Sequence, residues 1–372
     1  MTARDGRAIL VSAGEPSGDL HGAPVVAALR QRFPGVPIEG CGGPRMAAMG
    51  LDVQVGIDRL SAMGFLEVVR SVPRHAALLG RLRRAARSGR YRCAILIDYP
   101  GFHLRLGAVL REAGVPVLQY VAPQLWAWRP GRAPALRKAV SGLAVILPFE
   151  TEFFAARGIP ARFVGHPLLD RVRPGPQAAW DALGLPPHTR VLGIFPGSRT
   201  GEIARNWPLF RDVARRMLEG GHCDAVLVAG TATGSYPDPG PIRVVVEAPE
   251  QVMAAATAVL VKSGTTTLEA ALAGTPMVVA YRTSWSTYAI ARRLMQVDRI
   301  SLVNLVAGRD VVPEFWHRPL SASEMGDALA PLLDGSSSAA KAQREGLAGV
   351  RERLGTPGAA ARVVELAEEL LA

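Results

Sequence analysis

The chain has 372 residues, which is long for one hydrophobic core and suits two α/β domains of about 170 residues each. Apolar residues make up 49% of the chain and aromatic residues only 6%, a balance that argues against disorder or an aromatic-rich β sandwich and favours parallel strands wrapped in helices. The net charge of +11 favours acidic partners such as phosphates, anionic lipids or nucleic acid, although a compositional bias towards arginine would produce the same charge.

The cysteines and the apolar runs bear on the cellular compartment. Cys41, Cys93 and Cys223 are far apart and have no C-x-x-C spacing, which indicates neither a disulfide framework nor a zinc site. The first apolar run is too short for a signal peptide, and no stretch approaches the roughly 18 apolar residues of a spanning helix. We therefore expect a cytoplasmic protein that can still lie on a membrane surface.

Short apolar runs alternate with helical patterns through the first half of the chain. The runs are AILVSA (8–13), PIEGC (37–41), CAILID (93–98), PVLQYV (116–121), GLAVIL (142–147) and ARFVG (161–165). Their apolarity is continuous rather than alternating, which is typical of strands buried on both faces. The pattern predicts a doubly wound parallel sheet.

A Pro- and Gly-rich stretch over residues 166–187 interrupts this rhythm, and a second α/β series follows it. The runs of this series are VLGIFPGSR (191–199), DAVLVAG (224–230), IRVVVEA (242–248), AVLVKSG (258–264) and PMVVAY (276–281). Residues from about 321 onwards have a helical composition. The predicted organisation is a first domain over 1–170, a second over 171–340, and C-terminal helices over 341–372.

The segment SAGEPSGDLHG (12–22) follows the first predicted strand, where open α/β sheets place ligands. Gly14 and Gly18 permit close backbone approach, and Ser17 and Asp19 can cap the following helix. An ordinary capped turn explains the same residues. The segment matches neither G-x-G-x-x-G nor a Walker A sequence, so these two phosphate-binding fingerprints are absent from it.

Residues 61–92 place apolar side chains beside many arginines, as in helices that lie on anionic membranes. Pro73 predicts two short helices there rather than one. An amphipathic core helix with a solvated basic face is the alternative. The side chains predicted to meet the membrane and the acyl chains are Met63, Phe65, Val68, Val69, Val72, Leu78 and Leu79.

Asp98 ends the strand CAILID, so we expect its carboxylate at the sheet edge that faces a cleft between two domains. A partly desolvated carboxylate has a raised pKa and can serve as a general base. His103 and His21 are further candidates for this site, although a lone histidine is more often structural. A capping aspartate in a βα loop is the alternative interpretation.

Two turns in the second half have the composition of phosphate sites. In FPGSRTGEI (195–203), Gly197, Ser198 and Arg199 precede a helix, so backbone N–H groups and a guanidinium converge. In KSGTTTLEAALAGTP (262–276) the corresponding residues are Ser263, Gly264 and Thr265, with Glu269 on the helix that follows. Each turn alone fits an ordinary capped helix, but two in one domain favour a diphosphate ligand.

No D-x-D pair occurs in the sequence, although metal-dependent sugar transferases normally use one to hold a divalent ion on the diphosphate. The sequence therefore predicts a site without metal or cofactor. In such a site Arg199 and the helix dipoles would offset the charge of the leaving group.

Eight segments that occur in order between about residues 8 and 320 together resemble the lipid-A-disaccharide synthase family. They are AGEPSGDLHGA (13–23), SAMGFLEVV (61–69), LIDYPGFH (96–103), YVAPQLWAWRPGR (120–132), VGHPLLD (164–170), FPGSRTGEI, KSGTTTLEAAL and NLVAGRDVVPE (304–314). The resemblance implies a GT-B fold, in which two Rossmann-like domains face a cleft and the last helices return to the first domain. It also implies transfer of 2,3-diacylglucosamine from UDP to 2,3-diacylglucosamine 1-phosphate, with inversion, at the cytoplasmic face of the inner membrane.

The resemblance also assigns roles to individual residues. It makes Asp98 and Arg199 the catalytic pair and places Glu15, Ser17 and Asp19 in a loop on the acceptor side. Near the nucleotide it places Gly197, Ser198, Ser263, Gly264, Thr265, Glu269, Asn304, Arg309 and Glu314. The sequence departs from the family pattern at Ala62, at Ala122 and at Phe315, Trp316 and His317, where Leu-Leu-Gln is common.

Two other readings remain open from the sequence. Another GT-B enzyme, such as a peptidoglycan glycosyltransferase or a UDP-sugar epimerase, would share the nucleotide-binding domain. A non-catalytic basic protein that binds membranes or RNA would have no need of Asp98, and the scarcity of Lys and Arg interleaved with aromatics argues against RNA. A homodimer is compatible with the sequence, and no nucleic-acid partner is expected.

Overall fold

The computed structural model describes residues 6–60, 65–127, 130–282, 299–316 and 319–371, without the side chains of 65–71 and 130. The chain divides into two units, Met1–Asp170 with Gly355–Ala372 and Arg171–Leu354. None of the helices in these described ranges is long and apolar enough to cross a membrane.

The first unit contains a parallel sheet in the order β3-β2-β1-β4-β5-β6-β7. Its strands are β1 Ala8–Ala13, β2 Ile38–Gly42, β3 Asp52–Gly56, β4 Tyr91–Ile97, β5 Val117–Tyr120, β6 Gly142–Val145 and β7 Ala161–Phe163. The intervening helices are α1 Pro16–Arg32, α2 Pro44–Ala48, α3 Phe65–Arg87, α4 Pro100–Glu112, α5 Ala133–Ala139 and α6 Glu150–Ala155. The central strands β1 and β4 are buried along their whole length, because helices cover both faces of the sheet.

The second unit repeats this architecture with the strand order β10-β9-β8-β11-β12-β13. Its strands are β8 Val191–Phe195, β9 Ala225–Gly230, β10 Arg243–Val246, β11 Ala258–Lys262, β12 Met277–Ala280 and β13 Glu314–Phe315. Its helices are α7 Pro176–Leu183, α8 Thr200–Glu219, α9 Pro249–Ala255, α10 Thr265–Ala273, α11 Leu302–Ala307, α12 Ala322–Leu333 and α13 Ser338–Arg353. The predicted pair of doubly wound parallel sheets is confirmed.

The C-terminal segment is shared between the units, which corrects the prediction that residues 341–372 return to the first domain together. Helix α13 stays in the second unit, because the buried Gln343 side chain accepts the N–H of Met277 and donates to its carbonyl. Only α14, Ala359–Glu369, belongs to the first unit, where Val363 and Val364 join the core around Ile9.

Helix α3 is continuous from Phe65 to Arg87 although it contains Pro73, so the prediction of two short helices is wrong. A proline removes one N–H donor from a helix, which weakens the helix locally but does not always end it. Leu78 and Leu82 anchor the part of α3 that follows Pro73, since both are buried in the core of the first unit.

Candidate functional site

Asp98 directly follows β4, at the carboxyl edge of the first sheet. Its backbone and that of Tyr99 are left-handed, with φ of 50° and 53°, a conformation that non-glycine residues adopt only when their surroundings enforce it. Burial and the negative charge of Glu15 raise the pKa of Asp98, and a hydrogen bond with the Tyr99 backbone opposes this shift. Asp98 is therefore a partly desolvated carboxylate, which is what a general base requires.

The loop after β1 lies against the Asp98 turn. A Cβ at Gly14 would lie 2.3 Å from the Tyr99 ring, so only glycine fits at this position. The Tyr99 hydroxyl donates to the carbonyl of Leu60 at 2.8 Å. Glu15 is the N-cap residue of α1 and is half-buried, whereas Ser17 is exposed in the first turn of that helix. The structure thus brings the Glu15 charge close enough to Asp98 to affect its pKa.

Asp19 has a structural role, and its assignment to an acceptor loop stays a prediction. The residue is buried, and its carboxylate oxygens accept the N–H groups of Gly43 at 2.8 Å, Arg45 at 3.1 Å and Met46 at 3.0 Å. Asp19 therefore caps the start of α2 and does not cap its own helix, α1. These three partners are backbone donors of the protein itself, so the carboxylate helps to hold the fold.

The two histidines considered for the Asp98 site lie in different environments. His103 is buried behind Asp98, with Nδ1 2.6 Å from the Asp98 carbonyl oxygen. His21 is half-buried and packs edge-on against the ring of Tyr120. His103 thus contacts the backbone of the candidate base.

Glu150, which the sequence analysis did not single out, is a buried carboxyl group near the end of β6. It accepts the Trp126 indole N–H at 3.0 Å and the Leu147 N–H at 3.1 Å. Burial raises the pKa of Glu150 to about 7 even though these hydrogen bonds lower it. Its partner Trp126 lies 24 residues earlier in the chain, so nothing in the local sequence indicated the pair.

In the second unit, the turn after β8 brings Gly197, Ser198 and Arg199 to the N-terminus of α8, as predicted. Gly197 has φ of 127°, and a Cβ at this position would lie 2.7 Å from the Glu202 carboxylate. Arg199 is the N-cap residue, and its side chain is 73% exposed. The guanidinium can therefore reach a ligand held at the helix N-terminus.

Lys262, at the end of β11, is a cation that the sequence analysis missed. Its Nζ lies 3.1 Å from Glu202 Oε1, and the Arg199 guanidinium lies 3.8 Å from the same oxygen. Burial favours a higher pKa for Glu202, but Lys262, the Ser198 N–H and Arg199 together lower it below its usual value. The sequence feature that could have identified Lys262 is its position as a lysine at the end of an otherwise apolar strand.

The predicted turn that begins at Lys262 leads into α10, but the side chain of Ser263 is hydrogen-bonded within the protein. The Ser263 hydroxyl donates to the carbonyl of Ile300 at 2.6 Å, which ties the turn to the segment before α11. Gly264 is the N-cap residue of α10, and Thr265 is exposed at the first helical position. An ideal Cβ at Gly264 would lie 3.6 Å from the Lys262 ammonium, so this cation sits beside the α10 N-terminus.

Glu269 lies one turn into α10 and pairs with Arg171 at 3.1 Å. Burial raises the pKa of Glu269, and the Arg171 charge opposes the increase. The ion pair with Arg171 uses the carboxylate oxygen Oε1.

Asn304 holds the loop after α11, and its predicted contact with a nucleotide stays a prediction. Its side chain is 1% exposed and donates to the Val312 carbonyl and to Glu314 at 2.9 and 2.8 Å. Its Oδ1 accepts the N–H groups of Val311 and Val312 at 2.8 and 3.0 Å. An amide side chain makes about four hydrogen bonds, so the capacity of Asn304 is used within the fold.

Glu314 completes the same network from β13. It accepts the N–H groups of Ile300 at 2.7 Å and Ser301 at 2.9 Å, besides the Asn304 amide. Its predicted nucleotide contact likewise stays a prediction. Arg309, by contrast, is exposed on the loop that Asn304 and Glu314 hold.

The predicted membrane surface is only partly described. Met63, Ala62 and His317 lie outside the described residues, and so do the side chains of Phe65, Val68 and Val69. Val72 is 55% exposed on α3. Leu78 is 6% exposed and belongs to the core, so it is corrected from a membrane-facing to a core residue. Leu79 is half-buried against that core, and its predicted membrane contact stays a prediction.

Two parallel doubly wound sheets, with polar residues at their carboxyl edges, define the GT-B class of sugar-nucleotide enzymes. A glycotransferase of kitacinnamycin is similar, with a TM-score of 0.67 and 16% identity over 99% of this chain and 100% of that chain. A UDP-GlcNAc 2-epimerase from Neisseria meningitidis bound to UDP-GlcNAc has a TM-score of 0.64 and 13% identity over 97% of this chain and 99% of that chain. At such low identity these likenesses show the fold.

Comparison of the sequence identifies the family. The lipid-A-disaccharide synthetase family model matches residues 9–356. The lipid-A-disaccharide synthase of Anaeromyxobacter sp. (strain K) is 43% identical over 368 residues, 96% of each chain. That of Geobacter sulfurreducens is 39% identical over 382 residues, 100% of this chain and 99% of its own. The chain belongs to the lipid-A-disaccharide synthase family and is a glycosyltransferase of lipid A biosynthesis, which confirms the family resemblance and disfavours the alternatives.

Proposed function

We propose that the protein transfers 2,3-diacylglucosamine from UDP to the 6-hydroxyl of 2,3-diacylglucosamine 1-phosphate, giving a β-1,6-linked disaccharide phosphate and UDP. The acceptor oxygen attacks the anomeric carbon, the bond to the UDP phosphate breaks, and Asp98 takes the hydroxyl proton. The observation that carries the proposal is the raised pKa of the partly desolvated Asp98 carboxylate. Incubation with both substrates, followed by separation of UDP and the disaccharide, tests it.

The second unit binds the UDP moiety in this proposal. The N-termini of α8 and α10 direct N–H groups and positive dipole ends towards one diphosphate, and the exposed guanidinium of Arg199 offsets the charge of the departing phosphate. The Glu269 carboxylate takes a ribose hydroxyl in this proposal. Asn304 and Glu314 act indirectly, since they shape the loop that carries Arg309.

Lys262 supplies a second cation for the diphosphate, since it lies beside the α10 N-terminus and shares Glu202 with Arg199. We expect Lys262→Met to raise the KM for the UDP-sugar about tenfold, the effect of losing one charge-assisted hydrogen bond. Steady-state kinetics at saturating acceptor measure the change. The control is Lys341→Met, which removes an exposed lysine of α13 and leaves the KM unchanged. An unchanged KM in Lys262→Met would exclude this role.

The outer surface of α3 lies on anionic membrane in this proposal, with acyl chains of the substrates entering from there. Val72 is exposed beside the exposed arginines of the same helix, and apolar side chains flanked by cations favour an anionic interface. Both substrates are lipids, so such a surface would bring the enzyme to them.

We expect Val72→Ser to weaken binding to phosphatidylglycerol vesicles about fivefold, because a valine contributes roughly 1 kcal/mol or more on burial. The melting temperature stays unchanged, since Val72 is mostly exposed. Leu78→Ser, on the same helix, instead lowers stability by at least about 2 kcal/mol, because it removes a buried core side chain. Vesicle sedimentation and thermal unfolding distinguish the two. If Val72→Ser binds phosphatidylglycerol vesicles as tightly as the wild type does, the proposal that this surface of α3 lies on the membrane is wrong.

A further inference from the structure

The carbonyl of Asp98 is held by two buried side chains. His103 Nδ1 lies 2.6 Å from the carbonyl oxygen, and Gln119 Nε2 donates to it at 3.0 Å. The N–H of Asp98 donates to the Tyr120 carbonyl at 2.9 Å. Both polar groups of the Asp98 backbone are therefore bonded to neighbouring elements, independently of its carboxylate.

The hydrogen bonds determine the tautomer of His103. A carbonyl oxygen only accepts, so Nδ1 carries the proton and Nε2 is the acceptor. The Ser12 hydroxyl, 2.9 Å from Nε2, is then the donor. His103 is 1% exposed, and burial lowers its pKa to about 4, so the ring is neutral near pH 7 and keeps this single tautomer.

This arrangement explains how the Asp98 turn keeps an unfavourable conformation. Asp98 and Tyr99 both have positive φ, which persists only where the surrounding structure enforces it. Rotation of the peptide after Asp98 towards ordinary dihedral angles would move its carbonyl away from His103 and Gln119. The same rotation would redirect the Asp98 side chain, because the dihedral angles of a residue set the direction of its Cα–Cβ bond.

We infer that His103, whose tautomer is set by the Asp98 carbonyl, is a positioning residue that keeps the Asp98 turn left-handed and so directs the carboxylate at the acceptor hydroxyl. His103 acts through the Asp98 carbonyl and touches neither substrate. The inference rests on the proposed role of Asp98 as the general base. It assigns a function to the buried histidine that follows the Asp98 turn by five residues.

Two amide substitutions separate this role from simple packing. The amide of His103→Asn lies where Nδ1 lies in histidine, so it can still donate to the Asp98 carbonyl. The longer side chain of His103→Gln places its amide near the Nε2 position, where it meets Ser12 and leaves the carbonyl without this donor. We expect His103→Asn to keep kcat within about threefold and His103→Gln to lower it about tenfold or more, since small misplacements of a catalytic group have effects of this size.

The KM values for both substrates should stay within about twofold in both variants, because neither substrate contacts His103. Ser12→Ala is a control that leaves the ring in place. The Asp98 carbonyl still holds the proton on Nδ1, so kcat stays within about threefold at unchanged KM. Melting temperatures are measured for every variant.

Equal kcat values for His103→Asn and His103→Gln, or kcat losses that simply follow the melting temperatures, would overturn the inference. So would a kcat loss in Ser12→Ala as large as that in His103→Gln. Parallel assays of Asp98→Asn separate this failure from that of the proposed function. Wild-type turnover of Asp98→Asn removes Asp98 as the base, whereas an inactive Asp98→Asn with indistinguishable His103 variants removes only the positioning role.

Discussion

Asp98→Asn lowers kcat at least about 100-fold while the melting temperature stays at the wild-type value, which is the loss expected when a general base is removed. Asparagine has the shape of aspartate and leaves the backbone bonds of the turn in place, but its amide does not take a proton from the acceptor hydroxyl. Steady-state assays with saturating donor and acceptor measure the effect. Asp52→Asn, which changes an exposed carboxylate of β3, is the matched control and keeps the wild-type rate.

The pH dependence of kcat tests the same role of Asp98, because the direction in which its acid limb moves is predicted. Asp98 works as a base only when ionised, and burial and Glu15 raise its pKa, so the rate falls with acidity at a higher pH than for an ordinary aspartate. Glu15→Gln removes one cause of the raised pKa and moves this acid limb to lower pH. An acid limb that moves to higher pH, or wild-type turnover by Asp98→Asn, would contradict the assignment.

Arg199→Ala lowers kcat about 100-fold to 1000-fold, the range seen when one group that stabilises transition-state charge is deleted. The exposed guanidinium stands at the N-cap of α8, so it can meet the negative charge that develops on the departing phosphate. Single-turnover rates with bound substrates measure this step apart from product release. EDTA leaves the wild-type rate unchanged, because the proposed charge stabilisation comes from Arg199, Lys262 and the helix N-termini.

Two controls accompany the arginine prediction. Arg205→Ala removes an exposed arginine further along α8 and keeps the wild-type rate. Arg199→Lys keeps the charge without the planar fork and restores part of the lost rate. A wild-type rate in Arg199→Ala would refute the role of the guanidinium. Complete inhibition by EDTA that Mg²⁺ or Mn²⁺ reverses would refute the metal-free site.

Much of the fold could be predicted because strands buried on both faces leave continuous apolar runs in the sequence. The strands of both sheets other than β3 and β13 lie within a few residues of such runs. The two strands that were missed have weaker patterns. In β3 the residues are only partly buried, and β13 is just two residues long, so neither needs a long apolar run.

The sequence by itself determined the family, through eight motifs in one order, and placed Asp98 and Arg199 at strand ends, because a βα loop always follows the carboxyl end of its strand. Only the tertiary structure decided which polar side chains form hydrogen bonds or ion pairs within the protein. Ser12 and His103 are 91 residues apart, and Glu202 and Lys262 are 60 apart, yet each pair is in contact. These contacts exist because β1 pairs with β4 and β8 with β11, and the order of strands in a parallel sheet leaves no local mark on the residues that it brings together.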